Sequence, residues 1–300
     1  MSSFRVAGYL PDYRIAEFDL ESADQLTDLI ICSAELAADG SIDLTRLKDC
    51  PWPRLLEFKT RHRVRLLLTI GGWERSKHFA AVAASPEKRR QSVDSLVRLC
   101  LDKRLDGIDL DWEQPKGASE EEAYGKLLRE LRTAFTPHGL MLSATIGPWQ
   151  RLPASAVKAV DWVQFMAYDY GGKHSTAEQV SKDLAKMIDA GLPANKVILG
   201  LPFYGRDVET RKAMTYSEIA TTLRPKPNQD QVGTMYFNGP DTIRRKVKLA
   251  IDSKLAGVMV WELAQDARRP SSLLDVIHET ARLETKKEEN LRDAPSEQDH

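Results

Sequence analysis

The residues best suited to chemistry lie in one stretch, Leu105-Asp106-Gly107-Ile108-Asp109-Leu110-Asp111-Trp112-Glu113. A β-strand sends alternate side chains to opposite faces, so Asp109, Asp111 and Glu113 share one face and Ile108, Leu110 and Trp112 the other. Neighbours in the acidic row stand roughly 6.6 Å apart, two residues of rise. The apolar row suits packing under covering helices. Three carboxylates on the other face need a polar cavity, because an unpaired buried charge is very costly. Crowded carboxylates do not all ionise freely, so at least one holds its proton to higher pH. That is how a general acid becomes usable near neutrality. Asp106 has the opposite parity and reads as structural, at the start of the strand. Two plainer readings compete. A solvated edge strand would rarely carry Ile, Leu and Trp on its second face. A Mg or Ca site would need more oxygen ligands, and no further Asp/Asn-rich loop supplies them, so no metal is expected.

The strand belongs to a series. Short apolar runs at 4–9, 28–33, 64–70, 107–113, 141–145, 162–168, 196–202 and 257–261 alternate with longer amphipathic segments. Tyr124, Leu127, Leu128, Leu131 and Phe135 show helical spacing, as do Val93, Leu96, Val97 and Cys100, and Ile243, Val247, Ala250 and Ile251. Eight strand–helix units predict an α/β fold, a parallel (β/α)8 TIM barrel in a single domain. Chemistry in that fold sits at the C-terminal ends of the strands. Tyr9, the Gly71-Gly72-Trp73 turn, Glu113, Tyr168 and Trp261 all fall at such ends. Trp73 offers a flat apolar face for stacking on a sugar. By parity Ser143 and Thr145 share a face, and so do Gln164, Met166 and Tyr168.

The 300 residues carry 43 basic and 44 acidic side chains, a formal charge of -1, with 42% hydrophobic content. No basic excess points to nucleic acid and no polybasic block to anionic membrane. No apolar run is long enough to span a bilayer. Cys32, Cys50 and Cys100 form neither a disulfide framework nor a zinc site. The first residues run straight into a strand without the charged and apolar regions of a signal peptide, so the chain as given reads as cytoplasmic, or secreted if such a peptide has been removed. From 285 onward the chain is charged and nearly without apolar residues, which predicts a disordered tail at 285–300 beside a barrel at 1–284. A monomer is expected.

The spacing Asp-x-x-Asp-x-Asp-x-Glu at 106–113 resembles the signature of the family 18 glycoside hydrolases, the chitinase family. Met166-Ala167-Tyr168-Asp169 resembles a second signature of that family, and Gly200-Leu-Pro-Phe-Tyr204-Gly-Arg206 a third segment. The family usually has Ser where Thr69 stands; Thr keeps the hydroxyl. The likeness runs in order from Gly8 to Asp266. About fifty residues separate Arg206 from the eighth strand, too few for the full α+β domain that many members insert there.

The resemblance implies retaining hydrolysis of β-1,4 N-acetylglucosamine linkages, in chitin or chito-oligosaccharides, without a cofactor. Family 18 is a substrate-assisted exception to the two-carboxylate rule. Glu113 would be the general acid and base, Asp111 the partner of the acetamido N–H, Asp109 a deeper carboxylate sharing charge with it, and Tyr168 the donor to the acetamido oxygen. Asp169 would help hold that group, with Met166 packing the pocket and Gln164 as a polar contact. Trp261 would be the floor under the sugar, Trp73 a stacking surface on the leaving-group side, and Tyr9 part of the wall, while Tyr204 and Arg206 flank it. The same residues would suit an endo-N-acetylglucosaminidase, a peptidoglycan-type hydrolase or an intracellular enzyme trimming imported chito-oligosaccharides. A non-catalytic chitin-binding lectin is disfavoured, because inactive members commonly lose the glutamate kept here as Glu113.

Overall fold

Short runs rich in Val, Ile and Leu, covered on both faces, form parallel strands. The computed structural model describes residues 4–293 and contains eight of them. They are β1 (Arg5–Pro11), β2 (Asp28–Leu36), β3 (Arg65–Gly71), β4 (Gly107–Asp111), β5 (Met141–Ile146), β6 (Trp162–Phe165), β7 (Val197–Pro202) and β8 (Gly257–Trp261). All neighbouring pairs are parallel, and β1 pairs with both β2 and β8, which closes the barrel. Around it lie α1 (Trp52–His62), α2 (Phe79–Ala84), α3 (Pro86–Lys103), α4 (Gly117–Phe135), α5 (Ala154–Ala159), α6 (Ala177–Asp189), α7 (Pro240–Asp252) and α8 (Leu273–Asp293).

Strand parity divides the core in two. Ile108 and Leu110 point outward into a large apolar layer under the helices, joined there by Trp112. Trp112 stacks on Phe79 at 5.5 Å between ring centroids and meets Tyr124 edge-on at 5.4 Å. The Tyr124 hydroxyl donates to the Leu110 carbonyl, which locks α4 onto β4. A smaller cluster of Ala7, Tyr9, Ile30, Cys32, Leu67, Tyr168, Ile198 and Met259 fills the barrel interior. Asp106 is structural: its carboxylate accepts from the Leu66 amide at 2.7 Å and pairs with Lys59 at 2.8 Å. At the opposite end from the acidic row, Arg5 and Asp28 form a buried ion pair joined by Arg65, with Arg5 lying over the Trp162 ring.

The architecture departs from the sequence reading at three places. First, β4 stops at Asp111 and β6 at Phe165, two and three residues before the apolar runs end. Second, a small antiparallel sheet of 204–207, 213–215, 231–232 and 235–236 rises from the end of β7. It takes the place of a full insertion domain and leaves room for α7. Third, α8 runs on to Asp293, so the first nine residues of the expected tail are helical. Residues 294–300 of that tail lie outside the described residues.

Candidate active site

The floor of the site is built by β4 and the strands beside it. Asp109 is fully buried and accepts four hydroxyls: Ser143 at 2.6 Å on one oxygen, and Thr145 at 2.9 Å, Tyr9 at 3.0 Å and Thr69 at 3.3 Å on the other. The donors come from β5, β1 and β3. Hydrogen bonds to a charged acceptor are worth about 1.5–3 kcal/mol each, so this ring holds the strands in register as well as the carboxylate. Burial nevertheless outweighs the four bonds and pushes the Asp109 pKa upward.

Asp111 is the contrasting case. It lies one step nearer the mouth, is buried, and its Oδ1 has no hydrogen-bond partner. Burial pushes its pKa strongly upward, and the charges of Glu113 and Asp109 add to the effect. An unsatisfied buried acceptor costs about 1–3 kcal/mol, which a donor from a ligand would offset. Glu113 is half-buried past the strand end, and its pKa is pushed up to about 7 by burial and then by Asp169. Ser76 sets the turn that delivers it. Its hydroxyl accepts from the Glu113 amide at 3.1 Å and contacts the Asp111 and Gly72 carbonyls. The glycine pair is required here. Gly71 has φ +100°, and a Cβ on it would stand 2.2 Å from the Asp111 carbonyl oxygen.

The opposite wall stands outside the barrel ladder. Past the end of β6, Tyr168 is buried, and its hydroxyl finds only the Met259 sulfur at 4.0 Å. Asp169 takes a left-handed backbone conformation, φ 62°, and accepts from Arg206 Nε at 2.5 Å. Arg206 lies over the Tyr204 ring, and Tyr204 in turn meets Tyr168 edge-on at 6.3 Å. Arg211, in the small sheet's hairpin, donates to the Tyr170 and Gly172 carbonyls.

Between floor and wall opens a cavity of about 750 Å³. Asp111, Glu113, Met166, Tyr168, Asp169 and Trp261 all line it. Trp73, Trp149 and Tyr13 stand exposed at its rim. Neutral aromatic faces above a carboxylate-lined base suit a polyhydroxylated ring better than an anion. Among the described residues no group of three side chains could hold a metal ion, and no helix is long and apolar enough to cross a membrane.

The family model for glycosyl hydrolases family 18 matches residues 5–266. The chain belongs to this family. Among its relatives, Chitinase 1 of Aphanocladium album is 26% identical over 280 residues, covering 74% of this chain and 66% of that protein. The Class V chitinase of Arabidopsis thaliana is 32% identical over 188 residues, 53% of this chain and 50% of that protein. The matches thus span only one half to two thirds of these two curated relatives. A crystal structure of the family 18 chitinase ChiB from Flavobacterium johnsoniae superposes with a TM-score of 0.82 at 26% identity, covering 94% of each chain.

Within this family 18 barrel, most residues singled out from the sequence come together, and three do not reach the cavity. Tyr9, Trp73, Asp111, Glu113, Met166, Tyr168, Asp169, Arg206 and Trp261 line it. Asp109 lies beneath Asp111, closed off by its hydroxyl ring. Gln164 is buried and does not line the cavity, and its Oε1 is unpaired; the parity itself holds, with Trp162, Met166 and Tyr168 on the inner side of the barrel and Val163, Phe165 and Ala167 on the outer. Tyr204 is buried behind Tyr168 and does not line the cavity. Tyr9 is a floor residue rather than a mouth residue, 2% exposed and edge-on to Trp261 at 5.7 Å.

The lining also includes Tyr13, Arg75, Trp149 and Arg211, which the sequence reading does not name as site residues. Trp149 follows the end of β5, and Tyr13 that of β1, so the strand-end argument that marked Trp73 applies to both. Arg75, two residues past Trp73, pairs with Asp12 at 2.7 Å. Arg211 carries no signal in the sequence, since the hairpin that brings it in was itself unforeseen.

Proposed function

We propose that this protein hydrolyses β-1,4 linkages between N-acetylglucosamine units, in chitin or chito-oligosaccharides, with retention and by substrate-assisted catalysis. The observation that carries the reading is the contrast along the acidic row. Asp109 has all the donors it can use, Asp111 has an oxygen without one, and Glu113 is set to carry a proton near pH 7 at the cavity face. A substrate amide N–H is the donor that Asp111 lacks.

Glu113 gives its proton to the glycosidic oxygen as the bond from that oxygen to the anomeric carbon breaks. The acetamido carbonyl oxygen of the same sugar closes on the anomeric carbon, forming a cyclic oxazolinium ion. The nucleophile is already part of the substrate, which gives it the high effective concentration of an intramolecular reaction. Asp111 accepts the acetamido N–H and offsets the positive charge. Tyr168, whose hydroxyl has only a thioether neighbour, donates to the acetamido oxygen and aims it. Water then attacks the anomeric carbon from the face the leaving group left, returns its proton to Glu113, and opens the ring with net retention. Trp261 lies under the reacting sugar, and the rim aromatics Trp73, Trp149 and Tyr13 accept its neighbours.

Fluorogenic N,N'-diacetylchitobiosides test this. The wild type should release the fluorophore, and Glu113→Gln should lower kcat about 10²- to 10⁴-fold, the usual worth of a general acid–base group, with unchanged fold. Equal rates on the matching oligoglucose would refute assistance by the acetamido group, and a wild type silent on every acetamido substrate would refute the activity.

A further inference from the structure

Behind the wall lies a buried cation that no step above uses. Lys246, on α7, is fully buried, yet among the described residues no carboxylate pairs with it. Its ammonium donates to three acceptors: the Ser175 hydroxyl at 2.6 Å, the Asn238 side-chain oxygen at 2.6 Å and the Ser175 carbonyl at 2.8 Å. Three donors thus meet three acceptors. Asn238 and Tyr236 also donate to the Ser175 carbonyl, so residue 175 is held by three side chains at one oxygen. Burying an ammonium is costly, and an apolar side chain of similar size would usually serve stability as well or better. Burial lowers its pKa to about 7, against the pull of Asp230 and Glu178. The location of its partner suggests why it is kept.

Ser175 spends its own proton on the Ala167 carbonyl at 2.7 Å. Ala167 immediately precedes Tyr168 and Asp169, in the segment that has left the barrel ladder. The adjoining His174 accepts the Tyr170 amide at its carbonyl, 3.1 Å, and stacks its ring on Tyr204 at 4.9 Å. The Tyr168–Asp169 pair is therefore bracketed on both sides by residues 174 and 175.

We propose that Lys246, acting through Ser175, is a positioning residue for Tyr168 and Asp169. The inference rests on the proposed function for its catalytic consequence, though not for the mechanical link. Lys246 fixes the Ser175 hydroxyl as an acceptor from the ammonium and a donor to Ala167, so the hydroxyl proton has one direction in which to point. The strand ladder that places Asp109 and Asp111 is replaced here by a buried chain of three polar groups.

Ser175→Ala is the decisive variant, because it removes the bond to Ala167 and keeps the backbone carbonyl that Lys246, Asn238 and Tyr236 hold. Its kcat on the diacetylchitobioside should fall about 10- to 100-fold, as small misplacements of catalytic groups do, with KM changed less than about twofold. Glu113 faces Asp111 and Asp169 across the cavity, with Arg206 paired to the latter. Slackening residues 167–169 lets the Asp169 charge, still paired with Arg206, move relative to Glu113, whose proton that charge helps to hold, so the alkaline limb of kcat/KM should shift from its wild-type pH. Lys246→Met should show the same limb shift with a lower Tm; if it fails to fold, Ser175→Ala still decides.

Unchanged kcat and an unchanged limb in Ser175→Ala, with only Tm reduced, would overturn the proposal in favour of a purely structural clamp. A silent wild type would instead refute the proposed function. Hydrogen exchange then decides: faster exchange at the Met166, Ala167 and Tyr170 amides in Ser175→Ala supports the link, and unaltered exchange there overturns it.

Discussion

Asp109 and Asp169 are carboxylates of one site, and the scaffold holds them by different means. Asp109 stands inside a strand with a paired strand on either side, and three of its four donors come from those two strands, the fourth, Tyr9, from β1 across the barrel. Asp169 lies four residues beyond the end of β6, in a left-handed conformation, with an arginine from the inserted sheet as its partner. Loss of one donor at Asp109 leaves three others and an intact ladder. On the wall, each link is single: Arg206 for Asp169, Ser175 for Ala167. The floor should therefore tolerate single changes in geometry and lose stability, whereas the wall should keep its stability and lose rate.

Four experiments press on that difference. Asp111→Asn changes charge without size and should lower kcat about 10²- to 10³-fold, as removal of one transition-state-stabilising group does, at nearly unchanged Tm; near-wild-type turnover would remove Asp111 from the mechanism. The pH profile of kcat/KM is the next largest effect. In the proposed mechanism Glu113 acts protonated, and its folded pKa is raised to about 7, so the rate should hold below that pH and fall about tenfold per unit above it. A limb near the ordinary glutamate value would show that burial does not raise Glu113. Arg206→Ala should cost about tenfold in kcat, at the low end for a positioning contact, while the exposed side of the pair limits the loss of Tm. Tyr9→Phe is the smallest. It removes one of the Asp109 donors and should cost about 1–2 kcal/mol in stability, read from denaturant unfolding, with kcat lowered only a few-fold. Should Tyr9→Phe prove catalytically worse than Arg206→Ala, the division between a redundant floor and a singly linked wall would fail.

Much of the floor was legible because a strand obeys a two-residue period whatever surrounds it. Asp109 and Asp111 shared a face, with Ile108 and Leu110 opposite, and Ser143 and Thr145 aligned beside them, from spacing alone. The same period placed Gln164 correctly on the inner side but did not say that it would stop short of the cavity. Strand β6 ends at Phe165, yet the alternation carries on through Met166 and Tyr168 on the inner side and Ala167 on the outer. Where a strand stops is decided by whether a neighbour continues to pair with it, and that is a property of the assembled barrel. The small sheet beyond β7 went unread for a related reason. Its strands are two to four residues long, too short to display a period.

The sequence by itself determined the eight-strand order, the outward and inward faces of the barrel, the crowded acidic row and the strand ends at which chemistry gathers. These follow from local periodicity and from apolar surface that has to be covered. Only the tertiary structure decided that four hydroxyls converge on Asp109 and none on Asp111, that Arg206 meets Asp169, and that Lys246 reaches Ser175. Those contacts join residues tens of positions apart, up to about a hundred and thirty-six between Tyr9 and Thr145 in the same hydroxyl ring. Their energies depend on distance and burial, and neither is defined until the chain has closed on itself.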